Sequence, residues 1–291
     1  RAEKVAKQLN AEPHDGFRKL IERSDIDAVL LLSAQWFGPL PIMAACSAGK
    51  AVYCSAALDL TVDQASELRQ QLREAGVAFM AEFPCRLSPA TLRLKELIAT
   101  KLGPPRMLFC YRGRPEGHDG RSTWGLRDVV ELVDWCRYVI DREPTSLIAS
   151  AHVARAGPLD AGANGHDPGM EHVSLQLDFS SSEQPGHGPA AAIDCGQYTS
   201  QRWSESLAYR RPADMKAVCE RGIAFVDLPS TVAWFDDAGQ HLETLEHERP
   251  VGEQLLLHFH RAVESLVLQT SSLDDAHRAI VIANKTVESC L

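Results

Sequence analysis

The chain of 291 residues carries 30 basic and 39 acidic side chains, a formal charge of −9 with histidine counted as neutral. That length suits one large domain or two medium ones, and 45% hydrophobic against 24% charged residues excludes a disordered chain. As far as Arg86 the signs nearly balance, 10 basic against 11 acidic, so the acidity lies beyond it. No stretch forms a basic stripe, which argues against a nucleic-acid partner held through its phosphates.

The longest purely apolar run, Ala28 to Leu32, falls far short of the roughly 20 residues that span a bilayer. The opening Arg1-Ala-Glu-Lys has no signal-peptide character. Cysteines stand at 46, 54, 85, 110, 136, 195, 219 and 290, with no C-x-x-C pair. The expectation is a cytoplasmic protein with separate buried thiols and neither a membrane span nor a disulfide framework.

In chain order, residues 1–9 read as the end of a helix, and Asp15 as the cap of a second carrying Phe17, Leu20 and Ile21. Asp27-Ala-Val-Leu-Leu-Leu-Ser33 is a continuous apolar run closed by a polar residue, the pattern of a parallel strand buried on both faces. A short helix from Pro41 to Ala48 stops at Gly49, and Ala51–Cys54 is the next strand. Thr61-x-x-Gln64 forms a capping box for a helix whose Ala65, Leu68, Leu72 and Ala75 share one face. Gly76 ends it, and Val77–Phe83 makes a third strand. Strand, helix, strand, helix, strand at this rhythm is α/β with right-handed crossovers.

Ser88-Pro89 then reads as the cap and first turn of a helix bearing Leu94, Leu97 and Ile98. After Gly103 the strand candidates crowd together: Met107–Arg112, Thr145–Val153, His172–Phe179, Ala190–Cys195, Ser206–Arg210, Lys216–Val226 and Thr231–Phe235. Polar and apolar residues alternate from His172 to Phe179, as in a sheet with one buried and one polar face. Leu126, Val129, Val130, Val133, Cys136 and Ile140 form the stripe of a helix whose other face holds Arg127, Glu131, Asp134 and Tyr138. The Gly-, Pro- and Asp-rich stretch 157–169 reads as a loop. Two helices close the chain, one from Gly252 to Gln269 and one from Ser272, where Asp275 completes a capping box. The fold class is α/β. A partial, Rossmann-type doubly wound domain over residues 1–86 precedes an α+β domain over 87–291, built on a large, open, mostly antiparallel sheet.

Several segments in order resemble the glucose–fructose oxidoreductase/inositol dehydrogenase (Gfo/Idh/MocA-type) family. They are Ile21-Glu-Arg-Ser-Asp-Ile-Asp27-Ala-Val, Ala48-Gly49-Lys50-Ala-Val-Tyr-Cys54, and Phe83-x-x-Arg86-x-x-Pro89 followed by Leu94-Lys95-x-Leu-Ile98 and Leu102-Gly103. Leu257-His-Phe259-x-x-Ala262-Val263, with Ser272-Leu-x-Asp275-Ala276, is similar to the family's closing helix pair. The resemblance implies a domain binding NAD or NADP and a small-molecule substrate that is sugar-, inositol- or polyol-like. It also implies homo-oligomers packed through the open sheet of the second domain.

The chain departs from that family at three chemical positions. No G-x-G-x-x-G occurs in these residues, although the family's glycine loop is what closes on the cofactor's pyrophosphate. Where the family reads Glu-Lys-Pro after a strand, this chain has Ser55-Ala56-Ala57, with Ala56 in the lysine's place. Where the family sets Asp and His four apart on a helix, the His serving as acid/base, this chain has Arg127 and Glu131. Gly38 stands at the approximate place of a further family histidine.

Glu131 and Arg127 are therefore the candidate catalytic pair. Glu131 acts as a base if desolvation raises its pKa, or simply joins Arg127 in an i,i+4 ion pair worth roughly 0.3–0.5 kcal/mol. Ser33 and Gln35 at a strand's carboxyl end, Ser55, and Arg86 are candidate cofactor contacts, Arg86 reading equally well as a surface arginine. Arg112 and Trp124, with Arg114 and Arg121, line a pocket for a polyol or an anion, or else lie on a solvated loop. No metal is expected, since His258 and His260 point different ways on a helix and the other histidines lack ligand spacing. The reading is an NAD(P)-dependent oxidoreductase with weakened or lost catalysis in this chain. The alternative is a non-catalytic scaffold or binding protein derived from that fold.

Overall fold

A computed structural model of the chain describes residues 2–32, 38–54, 60–115, 126–153, 170–199, 201–209, 212–264 and 273–289. They form two compact units, one of Arg1–Glu82 with Leu255–Arg278 and one of Phe83–Gln254 with Ala279–Leu291.

The first unit contains α1 (Ala2–Leu9), α2 (Phe17–Ile21), β1 (Ala28–Leu31), α3 (Leu40–Ser47), β2 (Ala51–Cys54), α4 (Val62–Ala75) and β3 (Phe79–Ala81). The strands pair in parallel in the order β1-β2-β3. Every residue of β2 is buried, as a central parallel strand requires. Burial of β1 on both faces is not observed: Val29 is buried but Leu30 is 44% exposed, so at that position one face of the strand is not covered by the described residues. Helix α2 starts at Phe17 with Gly16, not Asp15, in the cap position. The predicted capping box of α4 is present: Gln64 N–H donates to Thr61 Oγ1 at 3.3 Å, and Thr61 N–H to Gln64 Oε1 at 3.1 Å. Gly76, left-handed at φ 63°, closes that helix.

Parts of the closing helices α8 (Val251–Val263) and α9 (Leu273–Glu288) belong to this unit. Phe259 meets the Tyr53 ring edge-on at 5.5 Å, and Asp274 accepts from Arg73 at 2.8 Å. The capping box expected at Ser272 lies outside the described residues.

The second unit begins with α5 (Pro84–Leu87) and α6 (Pro89–Leu97), a wide helical turn over Ile98–Leu102, β4 (Pro105–Pro115) and α7 (Leu126–Ile140). It continues through β5 (Ser146–Val153), β6 (Met170–Asp178), β7 (Ala190–Thr199), a tight helical segment Gln201–Ala208, β8 (Met215–Cys219), β9 (Gly222–Asp227), β10 (Thr231–Asp236) and β11 (Gly239–Thr244). Eight strands form one sheet in the order β11-β10-β9-β8-β4-β7-β6-β5, parallel only between β4 and β7.

Helix α7 lies on β4 and β7, and α6 on β9 and β10. They enclose a core that includes Leu94, Leu108, Trp135, Leu175 and Ile193. Trp135 Nε1–H donates to Thr91 Oγ1 at 3.0 Å, so the largest side chain of that core keeps its polar atom satisfied.

Three sequence expectations change here. Ser206–Tyr209, the described part of Ser206–Arg210, is not a strand. Its residues up to Ala208 are helical, in the connection that carries the chain from β7 past the end of β4 to β8. Lys216–Val226 is two strands joined at Glu220-Arg221. Strand β11 was not predicted: it is an exposed edge strand with one large apolar residue, Leu242, so hardly any alternation marks it.

Candidate functional site

Alternation along β4 decides which of its side chains go under α7. Leu108 and Cys110 are buried, and Arg112, two residues on, enters the same helix-covered side. On α7, Asp128, Glu131 and Asp134 recur every three residues and so form one acidic ladder. Each rung meets an arginine. Arg112 Nη1 donates to Asp128 Oδ1 at 2.9 Å and also to Glu131 Oε2, while Arg114 Nη2 donates to Asp128 Oδ1 at 2.7 Å. Arg86, from α5, grips Asp134 with two parallel bonds, Nε–H to Oδ2 at 2.6 Å and Nη2–H to Oδ1 at 2.5 Å. Arg137, one turn along α7, is held between Asp134 and Glu143.

Burial sorts these rungs. Arg86 and Asp134 are 5% and 1% exposed, a fully desolvated pair. Arg86 also lies against the faces of Phe83 and Tyr138, 5.5 and 5.2 Å from the ring centroids. Cys85 sits beside Arg112, whose Nη2 points at its sulfur from 3.7 Å. Burial, with help from the charge of Glu131, pushes the Cys85 thiol up to about 12, so it is neutral and not a nucleophile at pH 7.

Beside the upper rungs lies a cavity of about 450 Å³. The end of β4 contributes Tyr111, Arg112 and Arg114, and the helical segment after β7 contributes Ser204 and Leu207. Asp214 closes it at the start of β8. Its size is that of a small-molecule site. Gly113 permits the arrangement: a Cβ there would stand 2.7 Å from the Tyr111 hydroxyl. The connection from β7 to β8 must pass the carboxyl end of β4, so the topology itself builds this recess.

The structure thus brings Glu131, Arg112 and Arg114 together, with Asp128, Tyr111, Ser204 and Asp214 as members the sequence reading missed. The signals were present in part: Arg112-x-Arg114 has strand spacing, and Asp128-x-x-Glu131-x-x-Asp134 has helix spacing. Asp134, assigned to a polar helix face, is instead buried because Arg86 neutralises it. Arg127 is exposed, and Glu131 takes a cross-element partner, Arg112. Ser33, Gln35, Ser55, Ala56, Arg121 and Trp124 lie outside the described residues.

Arg86 bears on whether the described residues fit a dinucleotide. Its guanidinium is buried and committed to Asp134, so it is not available to a pyrophosphate. Among the described residues no cluster of three or more His, Cys, Asp or Glu is placed to hold a metal ion, and no helix is long and apolar enough to cross a membrane.

Residues 1–83 match the family model GFO_IDH_MocA, described as an oxidoreductase family with an NAD-binding Rossmann fold. The chain is 26% identical over 139 residues to an uncharacterized oxidoreductase, YrbE, of Bacillus subtilis, a match covering 46% of this chain and 41% of that protein. It is 28% identical over 153 residues to the 1,5-anhydro-D-fructose reductase of Ensifer adhaerens, covering 48% and 45%. The matched stretches span less than half the length of these relatives.

Among solved structures, a UDP-N-acetylglucosamine 3-dehydrogenase from Acidithiobacillus ferrooxidans superposes with a TM-score of 0.79 at 17% identity, over 100% of this chain and 87% of that one. An aldose-aldose oxidoreductase from Caulobacter crescentus, complexed with glycerol, gives 0.78 at 15% identity, over 99% and 85%. At these identities the likeness is one of fold: a Rossmann domain followed by a large mixed sheet.

Proposed function

Because the chain belongs to the Gfo/Idh/MocA oxidoreductase family, we propose that the protein is an NAD(P)-dependent oxidoreductase acting on a sugar-, inositol- or polyol-like hydroxyl, with weakened or lost turnover in this chain. The observation that carries the first half is the polar cavity at the end of β4, which adjoins α7, the helix that bears the family's acid/base position. Tyr111, Ser204 and Asp214 bind and orient hydroxyls there, and Leu132 and Leu207 exclude water from a sugar's C–H faces. The cofactor, when bound, supplies the hydride chemistry.

The second half rests on Glu131. A residue that moves a proton must be free to give and take it, whereas Glu131 is 14% exposed and engaged by Arg112. Ala56 cannot supply the cation of the family's lysine. The same observations favour the second reading, a non-catalytic scaffold or binding protein. Self-assembly belongs to the proposal too: the face of the sheet that no described helix covers carries Met107, Phe109, Val218, Ile223, Phe225 and Phe235, a largely apolar band with Lys216 lying over Phe109 and Phe225, suited to a second copy. A reducing, cytoplasmic location accords with cysteines spaced singly along the chain.

Cofactor titration by calorimetry, with absorbance at 340 nm over a polyol panel, tests the reading. The expected result is neither tight NAD(H) or NADP(H) binding nor turnover. Micromolar cofactor binding with turnover that disappears in Glu131→Gln would overturn the loss of catalysis and make Glu131 the base. Light scattering at micromolar concentration tests assembly, and a monomer would refute it.

A further inference from the structure

We propose that the cavity at the end of β4 takes an uncharged polyhydroxy ligand and turns away phosphorylated, nucleotide-linked and carboxylated ones, because its arginines are already neutralised within the protein. The inference rests on the reading of this cavity as the substrate site.

Two arginines on one cavity wall ordinarily signal an anion site, since a guanidinium presents a planar fork that fits carboxylate or phosphate. Here the Arg112 fork is occupied, and Arg114, 53% exposed, is paired through Nη2. Arg112 is shared between Asp128 and Glu131, and Arg114 is bonded to the same Asp128. Asp214 adds a further carboxylate to the lining. Among the described residues the cluster therefore holds two positive and three negative charges.

Asp128 and Glu131 are 7% and 14% exposed, so solvent and salt screen them little and the neutralisation persists at physiological ionic strength. An incoming anion that draws Arg112 off its partners strips Glu131 of that guanidinium and leaves Asp128 to Arg114, in a partly buried place. That is the costly way to break an ion pair. Hydroxyl groups face no such cost. The Tyr111 and Ser204 hydroxyls both donate and accept, and Asp214 accepts.

Glu131 is the key to this silence. Its removal unmasks Arg112 on one side while Asp128 still holds the guanidinium in place. The cavity's preference then moves toward anions, with no change in its shape. A merely structural Glu131 would instead weaken both ligand classes together.

Calorimetry on the full chain at fixed ionic strength compares matched probes, glucose against glucuronate and myo-inositol against its monophosphate. Two variants accompany it: Ser204→Trp, an exposed position that fills the cavity, and Glu131→Gln. The expected result is that each neutral ligand binds at least about tenfold tighter than its anionic partner and that Ser204→Trp abolishes both. Glu131→Gln should improve the anionic affinities about tenfold and change the neutral ones less than about threefold.

Tighter anion binding by the unaltered chain, removed by Ser204→Trp, would overturn the charge inference while the cavity remains the binding site. An anion-to-neutral ratio unmoved by Glu131→Gln would also overturn it, and the unaltered chain's ratio decides alone if that variant does not fold. Binding of neither class, or binding that Ser204→Trp leaves intact, would refute the substrate-site reading and this inference with it.

Discussion

Replacing Arg86 by methionine is the most direct test of the buried charge ladder. Arg86 and Asp134 are 5% and 1% exposed and joined by bonds of 2.6 and 2.5 Å, so the variant leaves in the core a carboxylate that has lost its two-pronged partner, with Arg137 beside it at 3.5 Å. Breaking one side of such a pair costs about 3–5 kcal/mol, chiefly as the desolvation of the charge left behind. Loss of the Phe83 and Tyr138 faces adds roughly 0.5–2 kcal/mol, partly offset by the apolar methionine.

For a unit of this size each kcal/mol lowers the melting temperature by about 2–4 °C, so a loss of about 4 kcal/mol gives a drop of roughly 8–16 °C. Far-UV circular dichroism during thermal and urea unfolding measures it. The double variant Arg86→Met with Asp134→Leu should recover at least about 2 kcal/mol relative to the sum of the singles. A cost below about 1 kcal/mol for Arg86→Met, or coupling near zero, would refute the reasoning. Full stability with lost cofactor affinity would return Arg86 to the cofactor-contact role that its place in the sequence suggests.

Three further outcomes are expected. Thr61→Ala should destabilise the first unit by about 1 kcal/mol in urea unfolding, because it leaves the Gln64 N–H uncapped; an unchanged midpoint would contradict the capping box. Arg93 holds Glu243, and His241 holds Asp236, below the ordinary carboxylate values of 4.5 and 3.8. The stability these groups contribute is fully present above those values and lost as pH falls through the depressed ones, so acid titrations of the second unit should weaken below about pH 4.5. Glu243→Gln should flatten that dependence, and an identical profile would exclude Glu243 as a contributor. Hydrogen exchange should be faster in β1, which among the described residues has one neighbour, than in β4, which has two; equal protection would mean that a further segment pairs with the other edge of β1.

Local pattern alone determined much of this protein. The apolar stripe of α7, the capping box at Thr61, the period of two along β6 and the parallel rhythm of the first unit are properties of neighbours in sequence, and periodicity reports them faithfully. Ordered segments spread over the chain sufficed for the family as well, since each records a local step of the fold. What lies beyond sequence neighbourhood was decided only in three dimensions. Arg86 and Asp134 are 48 positions apart, and Arg112 and Glu131 are 19 apart, so no spacing rule could pair them. Pairing turned one candidate cofactor contact into a buried strut and a candidate base into half of a salt bridge. The cavity arises because the β7–β8 connection must pass the end of β4, and strand order is a property of the whole sheet. Charge and hydrogen bonding act across space, while sequence pattern records only what each residue does for its own helix or strand.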